Sequence, residues 1–151
     1  MTHDMTSSPR HILITGGCGF IGSNFVRYWL DRHPESRVVV LDKLTYAGRR
    51  ENLQERWGQP NLTLVVGDIG DQDLVRRICV EHGTDLIVNF AAETHVDQSI
   101  LGPLVFTDTN VRGTHVLLEV ARELGIRVHH ISTDEVYGHI RDGHQSVETD
   151  D

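Results

Sequence analysis

Lysine is nearly absent. The sequence holds one, Lys43, against 22 acidic residues, and its formal net charge is −8 at pH 7. Nucleic acid and anionic membranes both ask for a basic face, so this balance argues against either as a partner. It leaves room for a phosphorylated small ligand, because backbone N–H groups at a helix start bind phosphate without cationic side chains. Cysteine is almost as scarce. Cys18 lies in a glycine turn and Cys79 in a helical stretch, a usage that fits cytoplasmic free thiols and not a disulfide framework. No apolar run is long enough to span a membrane. The opening MTHDMTSSPR lacks the apolar stretch of a signal peptide. Residues 1–9 therefore read as a flexible tail ahead of one domain, 10–151, and the cytoplasm is the expected compartment. The ten histidines invite a metal reading. Yet no CxxC or HExxH spacing occurs and His129-His130 sits inside an apolar run, so no metal is expected.

What is present is an alternation. A chain of 151 residues fits one domain, which can bury roughly 70% of the surface its unfolded form exposes. Strands are expected at 11–15, 37–42, 62–68, 85–93 and 127–133. Helices are expected at 20–33, 71–83 and 103–125, with a short one near 49–56. RVVVLD carries no polar interruption before its final acid, as a strand covered on both faces requires. DQDLVRRICVEHG opens on acids and closes on glycine, which are helix start and stop signals. Strands alternating with helices predict an α/β fold, a Rossmann-like doubly wound parallel sheet with helices on both faces. The 103–125 helix is apolar more than half way round, through Val111, Val116, Leu117, Leu118, Val120, Ala121 and Leu124. Either its core face is wide, or its second face is covered by another subunit.

ITGGCGFIGS follows the first strand and opens the first helix. Its glycines, Gly16, Gly19 and Gly22, are spaced GxxGxxG, with Gly17 extra. Glycine there permits a tight turn, close approach to a pyrophosphate and close helix–strand packing. Asp42 ends the second strand, twenty residues beyond Gly22. It is either a turn residue or an acceptor for adenosine ribose hydroxyls, which would favour NAD over NADP. Lys43 beside it weakens that preference. Asp68, after the third strand, is either a turn acid or an adenine neighbour. Ala91 and Ala92 are small enough for a cofactor to lie against their backbone, or serve helix–sheet packing. Ligands of such sheets bind outside the carboxyl ends of the strands, where HHISTDEVYG also arrives. Its Asp134-Glu135 pair is either a solvated turn or a site that both gives and takes a proton. Neighbouring residues on a strand point to opposite faces, so the two acids meet one ligand only if the strand has ended before them.

TGGCGFIGS, LDKLTYAG, GDI, NFAAETHVDQSI, TNVRGTHVLLEVAR and HHISTDEVYG together resemble the extended short-chain dehydrogenases, and most of all the dTDP-glucose 4,6-dehydratases. The resemblance runs from about residue 10 to 138. It implies an NAD-binding Rossmann domain and a dTDP-hexose substrate, with a homodimer in the complete enzyme. It implies NAD contacts from Phe20, Ile21, Asp42, Lys43, Leu44, Thr45, Asp68, Ile69 and Thr109, alongside the glycines and Ala91-Ala92. It implies a sugar-nucleotide contact at His95, for which a plain turn histidine is an equal reading. In the family reaction hydride leaves C4 of the hexose, water is lost across C5 and C6, and hydride returns to C6. By resemblance Glu135 is the base at C5, Asp134 the acid for the departing hydroxyl, and Thr133 holds the sugar.

The family also uses a tyrosine with lysine four residues on. Tyr28, Tyr46 and Tyr137 have no such lysine. The expectation is an amino-terminal half, with the substrate domain absent and no activity of its own. A non-catalytic NAD-binding module and a sugar-nucleotide 4-epimerase are the alternatives.

Overall fold

The computed structural model describes residues 9–95, 100–138, 147 and 149, and of Asp134 and Glu135 it describes the backbone alone. All of the expected tail except Pro9 lies outside these residues.

The chain runs β1 (His11–Thr15), α1 (Phe20–Arg32), β2 (Arg37–Asp42), a 3₁₀ segment (Arg50–Arg56), β3 (Leu62–Val66), α2 (Gln72–His82), β4 (Leu86–Asn89), α3 (Pro103–Phe106), a π-helical stretch (Thr107–Gly113), α4 (Thr114–Leu124), β5 (Arg127–His130) and a 3₁₀ turn (Asp134–Tyr137). The five strands form one parallel sheet in the order β3-β2-β1-β4-β5. Successive strands step outward from β1 to β3. The chain then crosses back to place β4 on the other side of β1. This reversal opens a crevice at the carboxyl ends of β1 and β4.

Alternate side chains of each strand serve opposite layers. Leu13, Val39, Leu41 and Ile87 pack with Val75, Ile78 and Cys79 of α2 and Val116, Leu117, Val120 and Ala121 of α4. Ile12, Ile14, Val38, Val40 and Val88 pack with Val26 and Leu30 of α1 and Leu53 of the 3₁₀ segment. The result is a three-layer α/β/α sandwich. Local signals place the helix ends. The Asp71 carboxylate accepts the Leu74 N–H and caps α2. Gly83 and Gly125, both left-handed, close α2 and α4.

Four expected elements differ from what is observed. The third strand ends at Val66 and the fourth at Asn89, short of 68 and 93. In each case the partner strand ends there, with Val66 opposite Asp42 of β2 and Asn89 opposite Thr15 of β1, and side chains take up the N–H groups beyond. Asp68 takes the Gly70 N–H, and the Asn89 and Thr15 side chains take the Ala91 N–H. The long helix is broken into α3, the π-helical stretch and α4, and its second apolar face is left open. Leu104, Val105, Val111 and Leu118 are exposed, so a single wide core face does not account for them within the described chain. The last strand ends at His130, and the backbone has turned into the 3₁₀ segment where the two acids stand.

Candidate functional site

At the β1–α1 turn, Gly16 is left-handed, with φ +66°, and a Cβ there would lie 2.6 Å from the Ala91 nitrogen. Only glycine lets the two loops at the switch point approach this closely. A Cβ on Gly22 would meet the Gly16 carbonyl, so the helix start is folded tightly against the turn. Gly19 is the N-cap of α1. No side chain caps this helix and no acid occupies its first turn. Among the described residues its first N–H groups thus face the crevice without a capping side chain, in contrast to α2. That is the arrangement an anion completes.

Asp42, at the end of β2, is buried. One carboxylate oxygen accepts the Cys18 N–H at 2.8 Å and the other accepts the Leu44 N–H at 2.8 Å. It therefore ties the glycine turn to the next strand. The Cys18 carbonyl extends the tie, accepting from Arg49 N–H at 3.0 Å and Asn52 Nδ2 at 2.7 Å. Beyond β3, Asp68 accepts the Gly70 N–H at 2.8 Å and pairs with the Lys43 ammonium at 2.6 Å. Burial works against the Asp68 carboxylate, but Lys43, the Gly70 N–H and the Arg112 guanidinium hold its pKa below the ordinary value.

Under the switch point lies a polar cluster. The buried Thr15 hydroxyl donates to the Asn89 side-chain oxygen, which also accepts the Ala91 N–H at 3.2 Å. That N–H fixes the amide's orientation, so Asn89 Nδ2 is the group 3.0 Å from His130 Nδ1. Nδ1 must then accept, which puts the proton of a neutral His130 ring on Nε2. Strands β1, β4 and β5 are joined through these three side chains. The loop after β4 is braced from the helical side. Asn110 in the π-helical stretch accepts the Glu93 N–H at 2.8 Å and donates to the Glu93 carbonyl at 2.9 Å. Tyr46 reaches the same loop from the segment after β2, its ring edge-on to His95 at 5.6 Å. Burial, with Glu93 close by, raises the Tyr46 pKa.

These segments enclose a cleft of about 350 Å³. Gly16, Gly19, Phe20, Ile21, Gly22, Asp42, Lys43, Thr45, Asp68, Ile69, Ala91, Ala92, Thr109 and Thr133 all line it. The family described as GDP-mannose 4,6 dehydratase matches residues 13–151. The low-salt glycan biosynthesis protein Agl12 of Haloferax volcanii is 56% identical over 133 residues, 87% of this chain and 42% of that protein. A dTDP-glucose 4,6-dehydratase of Mycobacterium tuberculosis is 52% identical over 127 residues, 84% of this chain and 37% of that enzyme. The crystal structure of DesIV, a dTDP-glucose 4,6-dehydratase of Streptomyces venezuelae solved with NAD bound, superposes with a TM-score of 0.81 at 53% identity, covering 88% of this chain and 42% of DesIV.

The chain belongs to the GDP-mannose 4,6 dehydratase family.

It spans about two fifths of the length of these relatives. Two residues that the family resemblance put at the cofactor or substrate are not part of the cleft lining. Leu44 has φ +54° and packs toward the α1 layer, held there by its N–H bond to Asp42. His95 faces Tyr46. The side chains of Asp134 and Glu135 lie outside the described residues. Glu93, Thr94, Ile131 and Ser132 also line the cleft; the family resemblance put the stretch from Ala91 to His95 near nicotinamide and substrate, and sequence reasoning missed Ile131 and Ser132. The signal for these two was their place just past a strand's carboxyl end.

Proposed function

We propose that this chain carries the NAD cradle and the acid-bearing segment of an NAD-dependent dTDP-glucose 4,6-dehydratase, a lyase. One observation carries the reading: the uncapped start of α1, the Gly16–Ala91 approach, Asp42, Asp68 and Thr133 all line a single cleft. The cradle fits a dinucleotide. A Cβ at Gly16 would fill the space in which the two loops meet, and Asp42 and Asp68, which line the cleft, would take the adenosine. NAD would supply a hydride acceptor that later returns the hydride. The pyrophosphate would take the free N–H groups of α1, whose dipole favours the negative charge. Thr133 would hold the sugar near its C4 oxygen. Glu135 would remove the C5 proton, and Asp134 would protonate the departing C6 hydroxyl. Two adjacent carboxyls in a dry site do not readily both ionise, which suits one protonated acid beside one charged base. The exposed face at Leu104, Val105, Val111 and Leu118 supports a homodimer in the complete enzyme.

A second reading is a non-catalytic NAD module. Such a module would need only the glycine turn, Asp42 and Asp68, all of which line the cleft. Calorimetric titration tests the shared part. NAD should bind the chain, and Gly16→Val should abolish binding; an unaltered chain that takes no NAD would sink both readings. The chain alone should release no 4-keto-6-deoxy sugar from dTDP-glucose. Joined to a carboxyl-terminal half from a relative, a 4,6-dehydratase yields that product, a 4-epimerase yields dTDP-galactose, and a non-catalytic module yields neither.

A further inference from the structure

Lys43 poses a problem for cofactor choice. A cation directly after the acid at the end of β2 stands beside the place of the adenosine 2′ position. There it would welcome a 2′-phosphate and oppose the discrimination that Asp42 supplies. Its ammonium, however, lies 2.6 Å from Asp68 Oδ2. Asp68 is itself fixed from the other side, since its Oδ1 accepts the Gly70 N–H at 2.8 Å. Arg112 also lies near Asp68, but its guanidinium donates to the Gly70 carbonyl at 3.1 Å, while Lys43 is the cation bonded to the carboxylate among the described residues. Asp42, Lys43 and Asp68 all face the same cleft. We propose that Asp68 is a specificity-determining residue that acts through Lys43: by holding the ammonium, it withholds it from a 2′-phosphate and keeps the cleft selective for NAD over NADP. The inference rests on the reading of this cleft as an NAD site.

The size of the effect is bounded by exposure. The Lys43 and Asp68 side chains are 56% and 41% exposed. Exposed pairs of this kind contribute little, so release of Lys43 should change relative affinity by about two- to fivefold. The substitution Asp68→Asn removes the charge and retains an oxygen for the Gly70 N–H. Asp68→Ser also retains one and serves where the first variant melts early. NAD and NADP are titrated separately into the unaltered chain, Asp68→Asn, Lys43→Met and the double variant. The quantity read is the ratio of the two dissociation constants. In Asp68→Asn that ratio should move about two- to fivefold toward NADP, and the gain should shrink with added salt. In the Lys43→Met background the Asp68 change should leave the ratio where it was. An unmoved ratio in Asp68→Asn would overturn the proposal. So would an equal gain with Lys43 already removed, which would make Asp68 a direct repeller of phosphate. Failure of the unaltered chain to bind NAD is seen in the first titration and overturns the cleft reading itself, with this inference.

Discussion

Asp42 shows how one side chain can carry two duties at the end of a strand. Its two oxygens take the N–H groups of Cys18 and Leu44. An ionised carboxylate has about four acceptor positions, so two remain for a ribose. Replacing it with alanine strands a buried Cys18 N–H. A hydrogen bond to a charged acceptor contributes about 1.5–3 kcal/mol, and Asp42→Ala should lower unfolding stability in urea by about that much. Asp42→Asn keeps one oxygen and should lose less. A variant as stable as the original would mean that the glycine turn stands without this brace. The position of Asp42, after an apolar strand and twenty residues beyond Gly22, was legible in the sequence. Its N–H partners were not, because they depend on where the turn returns in space, and residue spacing does not encode that. The same holds for Leu44, whose family role gave no hint of its left-handed backbone.

The helical segment from Pro103 to Leu124 makes the corresponding point about an element. Apolar spacing, Pro103 and Gly125 predicted one helix, and the ends are where they were expected. Periodicity sees side-chain direction and not hydrogen-bond register, so the π-helical stretch was invisible to it. Yet that stretch carries Thr109 into the cleft, Asn110 to the Glu93 backbone and Arg112 to the Gly70 carbonyl. π-helical turns recur at functional sites because a widened turn re-aims side chains. Asn110→Ala removes two neutral hydrogen bonds, which together contribute about 1–3 kcal/mol. Amide exchange at Glu93 should then quicken about tenfold or more, with exchange in the β1 core unchanged. Asn110→Asp keeps the acceptor for the Glu93 N–H and should fall between. Uniform acceleration through the sheet would show Asn110 to be a general stabiliser and not a brace for the loop.

At the scale of the molecule, the sheet separates two apolar layers, and each holds one buried thiol. Cys18 lies in the α1 layer and Cys79 in the α2–α4 layer. This three-layer order was legible, because uninterrupted apolar strands alternating with helices leave few other folds. Burial, helped by Asp42, pushes the Cys18 thiol up to about 12, and burial pushes Cys79 up to about 11 despite Thr84. An exposed thiol in the unfolded chain ionises near 8.5. Below that value both states keep their protons and the thiols add no pH dependence. Above it the native chain holds protons that the unfolded chain has lost, so stability falls as pH rises. The steepest contribution is about 1.4 kcal/mol per pH unit for each thiol, and unfolding midpoints in urea between pH 8 and 10 should show it. Cys18→Ala should remove one share of that slope and Cys79→Ala the other. Alkylation at pH 8 then reads how the layers open, because neither thiol reacts while buried. If the sheet unfolds as one unit, the two cysteines should be modified at rates set by the same opening step. Much faster modification of Cys79 than of Cys18 would show that the α2–α4 layer opens while the glycine turn stays closed, and that the fold is two cooperative units on one sheet.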